Sequence, residues 1–82
     1  MNQIKSETEA EKFIAELDQN LPVVFPRADV QKLTGGVING RTLANKMALG
    51  IGPKAIRVGG KVVLVRRTFI AWLLEGNLEN IK

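Results

Sequence analysis

Hydrogen-bonding and cationic side chains concentrate in the centre of the 82-residue chain. The order Asn-Gly-Arg-Thr-Leu-Ala-Asn-Lys at positions 39–46 places Arg41 and Asn45 four residues apart, a spacing that shares one face of a helix. A guanidinium can pair with guanine O6 and N7, and a carboxamide can pair with adenine N6 and N7. The two side chains could therefore read base edges. The alternative is a solvated helix face with nothing docked on it.

Other candidate contacts lie beside this pair and further along the chain. Thr42 and Lys46 form a neighbouring row suited to a thymine methyl group or a phosphate. In a hairpin, paired glycines let the backbone approach phosphates or the minor groove, although hairpin cations also keep an exposed strand soluble. Cations that begin a helix oppose its dipole, which indicates either a phosphate contact or simple exposure. The downstream candidates are Arg57, Lys61, Arg66 and Arg67.

The charge of the chain is unevenly distributed around its net +4. Residues 1–20 carry a net −3 and residues 68–82 a net −1, whereas residues 21–67 carry nine Lys or Arg against Asp29 alone. A basic centre between acidic ends most often indicates a nucleic-acid partner, and solubility alone is the other explanation.

Composition excludes several classes of function. The chain has no Cys and no His, so disulfides, thiol or imidazole catalysis and most zinc sites are excluded. No paired carboxylates indicate an active site, so we expect no enzyme, no cofactor and no small-molecule ligand. The longest apolar run, residues 69–74, is far below the roughly 20 residues of a membrane span, and the polar N-terminus is unlike a signal peptide. We therefore expect a cytoplasmic protein without membrane contact.

Four helices and one hairpin are predicted. Ser6 and Glu9 match a capping box that begins a helix over about residues 7–19, and Pro26 favours an extended link at 23–25. A short helix follows at about 27–33, and the glycines at 35 and 36 end it. Asn39 is a good N-cap for a helix over 40–49.

The C-terminal half predicts a hairpin and a last helix. Gly59-Gly60 suits a two-residue turn, which would place Val58 opposite Lys61 and Arg57 opposite Val62. The last helix covers about residues 67–75. Its aromatic residues, Phe69 and Trp72, recur at core spacing, so we expect burial rather than stacking on single-stranded bases.

One stretch of the chain resembles a known group of proteins. The residues Arg57, Gly59-Gly60-Lys61, Leu64, Arg66, Phe69 and Ala71-Trp72-Leu73 resemble the small MerR-like winged helix-turn-helix proteins. That group includes phage excisionases, AlpA-like prophage regulators and the DNA-binding domain of terminase small subunits. Gly50 and Pro53 match its glycine and proline between recognition helix and wing, and Asn39 and Thr42 resemble its cap and early threonine. The resemblance covers about residues 23–75.

The resemblance implies a mostly α fold with a small β-hairpin, a winged helix-turn-helix preceded by an extra amphipathic helix. We expect an acidic helix and link at 1–22, the winged domain at 23–76 and a tail at 77–82. The implied function is sequence-specific binding of double-stranded DNA by a bacterial or phage-encoded transcriptional regulator or excisionase-like recombination directionality factor. Helix 40–49 would occupy the major groove, and hairpin 55–65 would lie on the backbone or minor groove.

A different class of function is also open. The chain could be a protein-interaction or assembly module whose basic face binds an acidic partner. The acidic first helix favours assembly, so a second copy, in a homodimer or a cooperative array, is a further expected partner.

Overall fold

The computed structural model describes residues 8–77, which form four α-helices and a three-stranded antiparallel sheet of order β1-β3-β2. None of the helices within residues 8–77 combines the length and the apolar character needed to span a bilayer. The elements in chain order are α1 (Glu9–Asn20), β1 (Val24–Pro26), a 3-10 turn (Arg27–Asp29), α2 (Val30–Leu33), α3 (Gly40–Ala48), β2 (Ile56–Val58), β3 (Lys61–Val65) and α4 (Arg66–Leu74).

Helix α1 begins two residues later than the sequence pattern predicted. Its N-cap is Thr8, whose Oγ1 accepts from the Glu11 amide at 3.1 Å while Glu11 Oε1 accepts from the Thr8 amide at 2.9 Å. Ser6, the predicted cap, lies outside the described residues. Both Ser6 to Glu9 and Thr8 to Glu11 match the capping-box pattern, so the pattern alone could not select one of them.

Helix α1 shares the core of the rest of the chain. Leu17 and Leu21 are buried together with residues of the sheet and of α4. The Arg66 guanidinium at the start of α4 donates to the Leu21 carbonyl at 2.9 Å and lies 3.7 Å from the Asp18 carboxylate. These contacts fix the end of α1 against the start of α4.

The predicted link at 23–25 was wrong in one respect, because β1 is a strand of the sheet. Val24 pairs with Val65 and Phe25 pairs with Leu64, so β3 is the central strand. Three residues that end in a proline are too short to show a two-residue periodicity, and only the distant partner strand makes them a strand.

The hairpin prediction is confirmed in detail. Gly59 and Gly60 both have positive φ, at 56° and 86°, and the register places Val58 opposite Lys61 and Arg57 opposite Val62.

Helix boundaries differ little from prediction. The helix expected at 27–33 is a 3-10 turn followed by α2, and α3 and α4 each end one residue early.

Aromatic side chains join the sheet to α4. Phe25 on β1 meets Phe69 edge to face at 5.6 Å between ring centroids, and Phe69 stacks on Trp72 at 6.2 Å. Leu64 on β3 is fully buried beside them. Residues paired across strands share a face, so Phe25 and Leu64 define the core face of the sheet.

Trp72 is buried, as predicted, with 9% of its surface exposed. Its Nε1 donates to the Ile51 carbonyl, in the segment after α3, at 2.9 Å. We expect Trp72→Ala to lower the free energy of unfolding by about 3–5 kcal/mol, since it leaves a cavity and removes that donor. Chemical denaturation checks this value. The exposed neighbour Ala71→Ser is the control, and a Trp72→Ala loss below about 1 kcal/mol would contradict the packing described here.

Candidate nucleic-acid interface

The turn between α2 and α3 is fixed by backbone and side-chain hydrogen bonds. Gly35 and Gly36 have positive φ, and the Gly36 amide donates to the Gln31 carbonyl at 2.7 Å, which closes α2. The buried Thr34 hydroxyl donates to the Val30 carbonyl at 2.8 Å and accepts from the Ile38 amide at 3.1 Å. The direction in which α3 leaves this turn is therefore fixed by local bonds.

Asn39 begins α3, as the sequence predicted. Its Oδ1 accepts from the Thr42 amide at 3.0 Å. One turn further on, Leu43 is 1% exposed and anchors the helix in the core. The cap and the anchor together determine which face of α3 is turned outwards.

Arg41 and Asn45 occupy that outward face. Each is two residues from Leu43, and two residues of an α-helix turn through about 200°, so both lie opposite the buried side. Both are exposed, and within residues 8–77 neither side chain has an ion-pair or hydrogen-bond partner. The structure therefore presents the predicted pair together and free to bind.

The predicted row of Thr42 and Lys46 lies on one flank of α3. Thr42 is exposed, but Lys46 is half-buried and its Nζ lies 5.8 Å from the centroid of the Trp72 ring. At that distance an ammonium is attracted to the face of the aromatic ring. Lys46 thus helps to join α3 to α4, and its charge lies beside Trp72 rather than with Arg41.

The opposite flank of α3 faces the hairpin across a depression, which we call the α3–hairpin groove. It consists of two adjoining hollows of about 640 and 620 Å³, and both are lined by Arg27, Ala44, Arg57 and Val62. Small residues of α3 keep this side open. They are Gly40, Ala44 and Ala48.

Four cationic residues contribute to the lining of the α3–hairpin groove. Arg57 and Lys61, both predicted, line it from the hairpin, and Arg57 Nη1 lies 3.4 Å from the Gly60 carbonyl that accepts its proton. Arg27 and Lys54 also line it, and among the described residues Asp29 is the one acidic residue in the lining. The groove is therefore a concave cationic surface beside the outward face of α3.

The last two predicted residues, Arg66 and Arg67, have different surroundings. Arg67 is exposed at the start of α4. Arg66 is half-buried, and its guanidinium is already engaged by Asp18 and the Leu21 carbonyl. Its position at a helix N-terminus is explained by this internal contact.

Arg27 and Lys54 were missed by sequence reasoning. A signal for Arg27 was present, because it begins a helical turn directly after Pro26, and a cation at that position opposes the helix dipole. Arg66 and Arg67 were predicted from this same signal. Lys54 carried no comparable signal, because it lies in the irregular segment between α3 and β2.

Comparisons with known proteins identified no relative of this chain. No protein-family model matches the chain, and no significant match was found among curated proteins or solved structures. Among residues 8–77, no three His, Cys, Asp or Glu side chains group in a way that could hold a metal ion.

Gly52 holds the segment between α3 and the hairpin close to α3. A Cβ atom at this position would lie 2.6 Å from Met47 Cγ and 2.7 Å from the Met47 amide nitrogen. We expect Gly52→Ala to cost about 1–3 kcal/mol of stability, because the backbone of α3 must move. Thermal unfolding measures the loss. Ala55→Ser, at an exposed position, should change stability by less than about 0.5 kcal/mol, and an equally small effect of Gly52→Ala would contradict the close approach.

Proposed function

We propose that this chain binds double-stranded DNA in a sequence-specific manner. Helix α3 enters the major groove, and the β2–β3 hairpin lies on the backbone or in the minor groove. The observation that carries the proposal is the pair Arg41 and Asn45, which are exposed, have no side-chain partner within residues 8–77 and lie one turn apart on the face of α3 opposite Leu43. Arginine and asparagine are the side chains best suited to guanine and adenine edges, respectively.

The order and pairing of the elements support a winged helix-turn-helix. Helices α2 and α3 are joined by a fixed turn, and a hairpin and then α4 follow. In such a domain the second helix of the pair reads the major groove. The β2–β3 hairpin is then the wing. The cationic α3–hairpin groove lies between α3 and this wing, the two elements proposed to contact DNA.

The proposed role is transcriptional regulation or excisionase-like control of recombination. Both roles require binding and alignment of DNA, and neither requires catalysis by this chain. The protein acts in the cytoplasm, on the nucleoid when bound, without a cofactor.

A second candidate is an assembly module that binds an acidic protein through the same basic face.

Exposed apolar side chains on a different face also favour contact with a protein. Val24, Ile56 and Val58 lie on the sheet face opposite Phe25, and each is more than half exposed. A second copy of the chain would suit this outer face.

Selection from a random duplex pool separates the two candidates. Protein immobilised through its N-terminus is incubated with the pool at near-physiological salt, and the bound fragments are sequenced over successive rounds. Enrichment of a defined motif supports DNA recognition through α3. Retention of fragments without a motif, or no retention, favours the assembly module.

On the selected site, Arg41→Ala and Asn45→Ala should each weaken binding by about 1–3 kcal/mol and relax the preference at one base position. Titration of duplexes altered at each position measures both effects. Lys12→Ala, which removes an exposed cation from the acidic α1, is the control and should leave the preference unchanged. Unaltered base preference in both α3 variants would exclude α3 as the reader.

A further inference from the structure

We infer that Arg27 and Arg57 form a phosphate-binding site in the α3–hairpin groove, and that the site holds the sugar-phosphate backbone of one DNA strand. The inference rests on the proposed function and adds to it a second, sequence-independent contact. It assigns Arg27, which begins the 3-10 turn, to the binding surface.

The guanidinium of Arg27 is only weakly satisfied within the protein. It is half-buried, and within residues 8–77 its one hydrogen-bond acceptor is the Met47 thioether, 3.9 Å from Nη1. Sulfur of this kind is a weak acceptor, whereas a guanidinium has five N–H donors. No described carboxylate lies within ion-pair distance of Arg27, although Asp29 is two residues away. A partly desolvated cation without a counter-ion is stabilised by any anion that enters the groove.

Arg66 shows what an internally satisfied arginine looks like in the same fold. It has a similar partial burial, but a carbonyl at 2.9 Å and a carboxylate at 3.7 Å engage its guanidinium. Among residues 8–77, Arg27 has neither kind of partner. The difference indicates that Arg27 is held for an external ligand rather than for packing alone.

Arg57 approaches the groove from the opposite wall. Its register partner is Val62, and the two residues share the sheet face that carries Leu64, so the Arg57 side chain is directed towards α3. Its bond to the Gly60 carbonyl is long, at 3.4 Å, and easily exchanged for a stronger acceptor. Two like charges lining one groove repel each other, and an anion between them relieves that repulsion.

The shape of the groove favours a phosphodiester chain as the anion. Two adjoining hollows form a track, and Gly40 and Ala44 leave it open on the side of α3. Guanidinium groups bind phosphate oxygens with two parallel hydrogen bonds. Backbone contacts set the register of a protein on a duplex without reading sequence. The site therefore positions α3, while Arg41 and Asn45 read the bases.

The first test compares charge-removing variants on cognate and unrelated duplexes. Arg27→Gln and Arg57→Gln should each weaken binding to all sequences by a similar factor. Each should also make the plot of log affinity against log salt shallower by about 0.9 per lost phosphate contact. Lys12→Gln removes the same charge from α1 and should change neither quantity. Thermal unfolding identifies any variant that is not folded.

The second test locates the phosphate itself. Duplexes carrying one neutral methylphosphonate linkage at a time are titrated with the wild-type chain and with the exposed variant Arg57→Gln. We expect the wild type to lose affinity at one or two adjacent linkages in the groove, and Arg57→Gln, which keeps Arg27, to lose less affinity at the same linkages. This comparison decides the inference even if Arg27→Gln does not fold.

The outcomes separate this site from the proposed function. A wild type that binds no duplex overturns both. The phosphate site alone is overturned if the wild type binds its motif, Arg27→Gln and Arg57→Gln behave like Lys12→Gln, and every neutral linkage costs the wild type and Arg57→Gln the same affinity. Poly-glutamate that competes with duplex DNA at equal charge concentration would assign the groove to an acidic protein and also overturn it.

Discussion

The position of α3 on the core depends on the indole of Trp72, together with the α2–α3 turn and the buried Leu43. The indole ring stacks on Phe69 in α4, its N–H donates to the Ile51 carbonyl after α3, and the Lys46 ammonium lies over its face. One side chain therefore holds both α3 and the segment between α3 and the hairpin against the core. Because the contact involves an aromatic face, a backbone acceptor and a cation together, no other residue type could replace it fully.

The surface proposed to bind DNA follows from this anchoring. With Leu43 buried and one flank of α3 held by Trp72, the outward face carries Arg41 and Asn45. The remaining flank consists of small residues and leaves room for a groove beside the hairpin. The acidic helix α1 packs on α4, so its negative charge belongs to a different part of the fold. The proposed major-groove reader and the proposed backbone clamp therefore lie side by side, and within residues 8–77 Asp29 is the one acidic residue that lines the groove.

Local signals predicted much of the fold, and non-local contacts account for what was missed. The Asn39 cap and the Gly59-Gly60 turn involve only residues that are close in sequence. The start of α3 and the register of the hairpin could therefore be predicted. Strand β1 could not, because its pairing partner lies about 40 positions along the chain. The internal role of Arg66 depends on a carbonyl 45 positions earlier, and Arg27 joins a groove whose other wall is formed by the hairpin. No local pattern contains that information.

One experiment shows whether α3 and the α3–hairpin groove together form a DNA-binding surface. It is an NMR titration of the isotopically labelled protein with its selected duplex, followed through backbone amide and arginine side-chain resonances. We expect shifts at Arg41, Asn45, Arg27 and Arg57, with the resonances of α1 unchanged. Shifts confined to α1 or to the outer sheet face at Ile56 and Val58, with α3 unaffected, would contradict this expectation.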